Sequence, residues 1–207
     1  MKLSRISEIR RKELREAAFQ VLQTEGMAGA TLEKVAQKAG ASKGIVFHYF
    51  KTKQELFEQA MRHSNVLMLE GVTALLRRAQ TPDERLWAVI EGNFATALFT
   101  PEICNAWLAL CAEVPREPQL ARIQRVVHGR MRSNLLSALR SLVPSEQREP
   151  VALAISSLID GLWLRLGLHP GELSAAEAMT QMADYLSHRI PHIDWNEHLR
   201  RTGVGPQ

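Results

Sequence analysis

An all-α fold is what this sequence predicts, on three observations. Apolar residues recur three and four apart along nearly the whole chain, the mark of one buried helix face. No segment alternates apolar and polar residues as a half-buried strand would, and no internal repeat or low-complexity tract breaks the pattern. The gaps between apolar stripes carry helix-capping residues, with Pro at first helical positions and Gly at helix ends. With 207 residues and 45% hydrophobic content, the chain suits one compact unit or two small ones and can bury a sizeable core.

Ile9, Leu14, Ala17, Ala18, Val21 and Leu22 form the stripe of a first helix, which Gly26 ends. Thr31 opens a short second helix whose Leu32, Val35, Ala36 and Ala39 share a face. Gly40 follows the last apolar position, where a left-handed residue closes a helix without steric cost. Ser42 caps a third helix that leads with Lys43 and Gly44. Thr52 and Glu55 form a capping box for a fourth, with Leu56, Phe57, Ala60 and Met61 inward, continued alone or by a close successor to about Gln80. Three more starts are Thr81-Pro82-Asp83-Glu84, Thr100-Pro101-Glu102 and Ser174 to Glu177. Pro115 and Pro118 interrupt one helix, Arg122 to Leu142 forms another, and Pro144 to Pro150 holds the next turn. Helices at 147–168 and 174–189 close the domain around His169-Pro170-Gly171, and the tail from Pro191, ending GVGPQ, is expected to fray.

The second and third helices read as a helix-turn-helix, whose second member lies in the major groove of duplex DNA. A short helix pair is more often plain packing, so its second half decides. Ile45, Val46, Phe47, Tyr49 and Phe50 crowd around His48 on a helix too short to bury every side. Lys43, His48 and Tyr49 therefore offer donors outward, beside Lys51 and Lys53. Phosphate neutralisation by such groups supplies much of DNA affinity, and base-edge contacts supply specificity. The order S-K-G-x-x-x-H-Y-F, followed by x-x-K-x-x-L and preceded by a helix-opening Thr, resembles the DNA-binding domain of tetracycline-repressor (TetR) family regulators over roughly residues 8–60. That resemblance implies a DNA-binding set of Thr31, Ser42, Lys43, Gly44, Ile45, Phe47, His48, Tyr49 and Lys53. Many relatives carry Tyr where this chain has Phe47, which is expected to pack or to touch a thymine methyl.

Charge is unevenly placed. Residues 1–63 hold twelve Lys/Arg against seven Glu, a balance of +5, and the remainder holds fourteen against fifteen acids, a balance of −1. A basic N-terminal part on a near-neutral body is the footprint of a nucleic-acid reader. No run approaches the ~18 unbroken apolar residues of a membrane span, and the charged N-terminus has no apolar signal core. Cys104 and Cys111 lie two helical turns apart, about 10 Å, too far for an intrachain disulfide. They are expected as buried thiols in a reducing cytoplasm. No metal set, nucleophile–base spacing or phosphate-cradling loop points to an enzyme or to a cofactor.

Two further signals lie in the C-terminal helices. Leu153, Ala154, Ser156, Ser157, Leu158, Asp160, Gly161 and Gly167 on one helix, and Ala175, Ala176, Ala178, Met179, Met182, Ala183 and Leu186 on the next, suit close packing against a second copy. One helix-turn-helix touches little DNA, and two-fold dimers reading palindromes solve that problem. Trp87, Phe94, Phe99, Trp107 and Trp163 all fall in this half, and Asp160 lies in the apolar run LIDGLWLRLG, to be paired with Arg165 or with a base on a neighbouring helix. An aromatic cage with a carboxylate is how quaternary ammonium ions are held.

The pieces GNF (Gly92–Phe94), AWLA (Ala106–Ala109) and LIDGLWLR (Leu158–Arg165) resemble, in order and spacing, the TetR subgroup of choline-responsive repressors of glycine-betaine synthesis. Where that subgroup follows AWLA with aromatics, this chain has Leu110 and Cys111. The resemblance implies a cytoplasmic homodimeric repressor with an N-terminal three-helix DNA-binding domain over 1–63 and a helical ligand-binding and dimerisation domain over 64–207. Its partners are a palindromic operator and a small effector, choline or a related quaternary ammonium, held by Phe94, Trp107, Glu113, Asp160 and Trp163. A different apolar or cationic metabolite is the alternative effector.

Overall fold

A computed structural model describes residues 2–203, with the backbone alone at 2–6, 27 and 28. Among the described residues ten helices and no strand are found: α1 (Lys2–Gly29), α2 (Leu32–Lys38), α3 (Lys43–Tyr49), α4 (Lys53–Arg78), α5 (Pro82–Asn93), α6 (Pro101–Glu113), α7 (Pro118–Leu139), α8 (Ser145–Leu168), α9 (Ala175–Arg189) and α10 (Trp195–Arg201). The caps at Thr31, Ser42, Thr81 and Ser174 are those the sequence announces. Thr81 with Glu84 and Ser174 with Glu177 each form a reciprocal capping box, so two orphan amides are satisfied at each helix start. At α4, Thr52 accepts from the Glu55 amide at 3.0 Å, while the Glu55 carboxylate reaches past it to the Lys51 amide at 2.8 Å. Gly26, at φ 64°, kinks α1 where the first helix was expected to end.

The chain forms two compact units. The first joins Met1–Val66 to Asn105–Gln124, and the second joins Leu67–Cys104 to Arg125–Gln207. In the first, α2 packs on α1 and α3 packs on α2. Leu14, Ala18, Leu22, Val35, Val46, Leu56, Phe57, Ala60 and Met61 make its core.

In the second unit, α4 and α5 approach so closely at Gly92 that a Cβ there would meet Val72 Cγ2 at 2.5 Å. Helix α7 starts at Pro118, four residues before the expected Arg122, because Pro is well suited to a first helical position. Helix α8 is long and apolar enough by composition to cross a membrane, but Asp160 and Arg165 interrupt its apolar run, and Ile155, Ile159, Leu162 and Trp163 are buried inside the protein. The expected fraying from Pro191 is also corrected up to Gly203; Val204–Gln207 lie outside the described residues. Asp194 caps α10, and Trp195 and Leu199 are buried. Trp195 donates its indole N–H to the Ile190 carbonyl at 3.0 Å. His198 stacks near Trp87 and Trp195, with centroids 6.0 and 5.4 Å away, and its Nε2 lies 2.9 Å from the Asp83 carboxylate in the first turn of α5.

Partial burial pushes the Asp83 carboxyl up, but hydrogen bonds from Thr81 and His198 and the His198 charge outweigh it and hold the group below its ordinary value. A depressed folded value contributes stability that is present above the unfolded carboxylate's ~3.9 and is lost as pH falls through the folded value. Asp83→Asn should therefore lower stability at neutral pH and flatten its acid dependence below about pH 4. Trp195→Ala should cost about 3–5 kcal/mol in urea unfolding; a loss under about 1 kcal/mol would show that α10 adds little to the fold.

Candidate nucleic-acid interface

The turn between α2 and α3 is built by local chemistry. Thr31 Oγ1 accepts from the Lys34 amide at 3.2 Å and Ser42 Oγ from the Ile45 amide at 3.3 Å, so both hydroxyls act as N-caps. Gly40 takes φ 58°, which an L side chain rarely adopts. Successive residues of α3 then turn by about 100°. Val46 and Phe50 point into the core and are buried. Gly44 and His48 lie opposite Val46, at the centre of the exposed side, with Phe47 and Lys43 on one flank and Ile45 on the other. A Cβ on Gly44 would touch only Ser42 Oγ, at 3.8 Å, so nothing inside the protein requires glycine there.

The cations around this face are held in place. Lys43 pairs with Glu33 of α2, and its ammonium sits 5.7 Å from the Phe47 ring centroid. The Lys43 hydrogen bond holds the Glu33 carboxyl below the usual range. Lys53 lies 5.3 Å over Phe57. Arg11, which sequence reading counted only as charge, lies 5.9 Å over the ring of Tyr49, itself edge-on to His48 at 5.1 Å. The structure thus gathers Lys43, Gly44, Ile45, Phe47, His48 and Tyr49 on one helix, adds Arg11 from α1, and assigns Thr31 and Ser42 to capping.

Of the C-terminal candidates, Phe94, Asp160 and Trp163 belong to the second unit, and Trp107 and Glu113 to the part of α6 in the first. Phe94 and Trp163 are buried core rings: Phe94 meets Phe99 edge-on at 5.1 Å and Phe99 meets Trp163 at 5.8 Å. The Trp163 indole N–H donates to the Asn93 carbonyl at 3.0 Å, and Asn93 in turn donates to the Val89 carbonyl at 2.7 Å. Asp160 is raised above its ordinary value by burial, opposed by His128 of α7. Arg165, one expected partner of Asp160, pairs instead with Glu172 at 3.9 Å. An open cavity of about 560 Å³ between α7 and α8 is bordered by His128, Met131, Leu153 and Ser156, and none of the five ligand candidates lines it. Burial, helped by Glu102, pushes the Cys104 thiol up to about 12, so it is inert as a thiolate at neutral pH.

A helix-turn-helix with an exposed second helix, joined to a second helical unit, is the architecture of a DNA-binding transcriptional regulator. Residues 14–60 match the TetR family of bacterial regulatory proteins, and residues 82–191 match the C-terminal part of BetI-type transcriptional repressors. Two relatives named HTH-type transcriptional regulator BetI, from Rhizobium meliloti and Cronobacter sakazakii, are 33% and 38% identical over 95% and 89% of this chain and 93% and 94% of their own. A transcriptional regulator from Rhodococcus sp. Rha1 superposes with a TM-score of 0.78 at 25% identity, covering 88% of this chain and 96% of its own. A regulator from Saccharomonospora viridis, solved in complex with choline, has a TM-score of 0.78 at 20% identity over 87% of this chain and 96% of its own, and bears on the fold alone. The chain belongs to the TetR family of transcriptional repressors, with a BetI-type C-terminal domain.

Lys53→Ala and Lys43→Ala should each weaken DNA binding across sequences, and Lys53→Ala should lower the salt slope by about one. Tyr49→Phe should weaken binding too. Fluorescence anisotropy across a salt series reads all three, and unchanged affinity and slope throughout would place the DNA-facing surface elsewhere.

Proposed function

We propose that this protein is a cytoplasmic homodimer that represses by binding a palindromic operator and is released by a small quaternary ammonium, choline first. The observation that carries the dimer is one side of α8. Leu153, Leu164 and Leu168 are 68%, 45% and 58% exposed, in line with Ser157 and Gly161. Large apolar side chains aligned with small ones form a stripe suited to another helix. The α9 face named from sequence has a different role: Ala178, Met179, Met182, Ala183 and Leu186 are buried within the protomer, while Glu177, Gln181 and Asp184 face outward. A charge at Met182 would thus unfold the protomer rather than split a dimer. Leu164→Glu with Leu168→Glu is the cleaner pair. It should yield a folded monomer by sedimentation with operator binding lost, and a folded dimer would exclude this stripe.

Support for the effector comes from the aromatic composition of the C-terminal half, the half-buried Asp160 and the BetI-type match of residues 82–191. In this reading the ligand binds a form in which the packed rings of Phe94, Phe99 and Trp163 part. It acts by population shift, favouring a dimer whose reading helices no longer match major grooves ~34 Å apart. A ligand binding both forms equally would change nothing. Leu110 and Cys111, where the subgroup carries aromatics, favour the second reading, in which the effector is a different apolar or cationic metabolite. Calorimetry with choline, betaine aldehyde and glycine betaine separates the two. Trp107→Ala should weaken choline by up to about 30-fold and leave operator affinity nearly unchanged. No heat from any of the three below a few millimolar would leave only the second reading.

A further inference from the structure

Two opposite charges meet across the turn between α2 and α3. Glu33 stands in the first turn of α2 and Lys43 opens α3, and the left-handed Gly40 folds the chain between them. The Lys43 ammonium donates to the Glu33 carboxylate, although both side chains are more than half exposed, at 54% and 57%. Neither helix depends on that contact. Thr31 and Ser42 already cap α2 and α3, and Val46 and Phe50 anchor α3 in the core. An ion pair so open to water adds little to stability, because solvent screens it and hydrates each charge alone.

The pair bears instead on DNA. One ammonium cannot neutralise a carboxylate and a phosphate at once, so Lys43 must give up Glu33 to take a phosphate oxygen. Glu33 is then a bare anion beside a polyanion. Lys34, the next cation on α2, is already held 2.5 Å from Glu25 of α1. The lost pair and the new repulsion both subtract from the affinity that Lys43 could supply.

We propose that Glu33 is a competitor, built into the fold, for the phosphate-binding cation Lys43. This autoinhibitory contact holds DNA affinity below what the cations of the surface would otherwise give. The inference rests on Lys43 reaching a phosphate. Its use is release: a regulator with a looser grip is freed by an effector with a smaller preference for the unbound form. Because phosphates carry no sequence information, the restraint falls on all duplexes alike.

Glu33→Gln keeps the length of the side chain and removes its charge. The full-length protein selects a duplex from a random pool, and anisotropy reads affinity for that duplex and for an unrelated one across a salt series. Glu33→Gln should tighten both by about three- to fivefold at low salt, the scale of one exposed ion pair, and the gain should shrink as salt rises. Glu33→Ala, which also removes the charge, should give the same gain. In a Lys43→Ala background most of it should vanish. Circular dichroism and urea unfolding should show both Glu33 variants folded and about as stable as the wild type. Weaker or unchanged binding would make the carboxylate a support for Lys43 or a bystander, and either overturns the proposal. So does a gain that survives Lys43→Ala, which would come from net charge alone. A wild-type protein that selects no duplex would remove the DNA reading of this surface, and the proposal with it.

Discussion

A helix of seven residues is too short to hold itself together in water, so α3 exists because Val46 and Phe50 are buried. Each such side chain contributes about 1.5–3 kcal/mol on burial, enough to fix both the position and the rotation of the helix. Because rotation is fixed, Gly44 and His48 must face outward, and Lys43, Ile45 and Phe47 must take the flanks. The left-handed Gly40 and the Thr31 and Ser42 caps serve the same end, with only four residues between the end of α2 and the start of α3. The exposed face of α3 follows from how the core is filled.

The C-terminal half faces a different constraint. Helix α8 is apolar on more than one side: Ile155, Ile159, Leu162 and Trp163 are buried in its own unit, while Leu153, Leu164 and Leu168 are not. Asp160 sits between those two faces, half-buried beside His128, so burial and the neighbouring imidazole pull its carboxyl in opposite directions. A regulator needs such a region, in which packing is complete enough to fold yet leaves a group whose surroundings a ligand or partner can change.

Much of this was legible in the sequence because caps and turns are local. A Thr or Ser just ahead of an apolar-periodic run, strengthened at Thr81 and Ser174 by a Glu three residues later, or a Gly after the last apolar position, names a helix boundary without any tertiary information, and the boundaries at Thr31, Gly40, Ser42, Thr81 and Ser174 follow from these signals. What stayed hidden depends on distant neighbours. Helix α10 is too short to show a period, and Trp195 gains meaning only from its packing beside Trp87. The apolar stripe of α9 reads the same whether its own chain or a second copy covers it. The N–H of Trp163 is committed to the Asn93 carbonyl, and Arg11 to the ring of Tyr49, by folding that no spacing rule encodes.

In the proposed mechanism, occupancy of the C-terminal half controls the grip of α3 on DNA. Anisotropy of a labelled operator duplex bound by the full-length protein, followed as choline is added at constant ionic strength, tests it most directly. If choline is the effector, the duplex should be released over the choline range in which calorimetry detects binding, with sodium chloride at equal concentration leaving it bound. A duplex that stays bound while choline saturates the protein would contradict it.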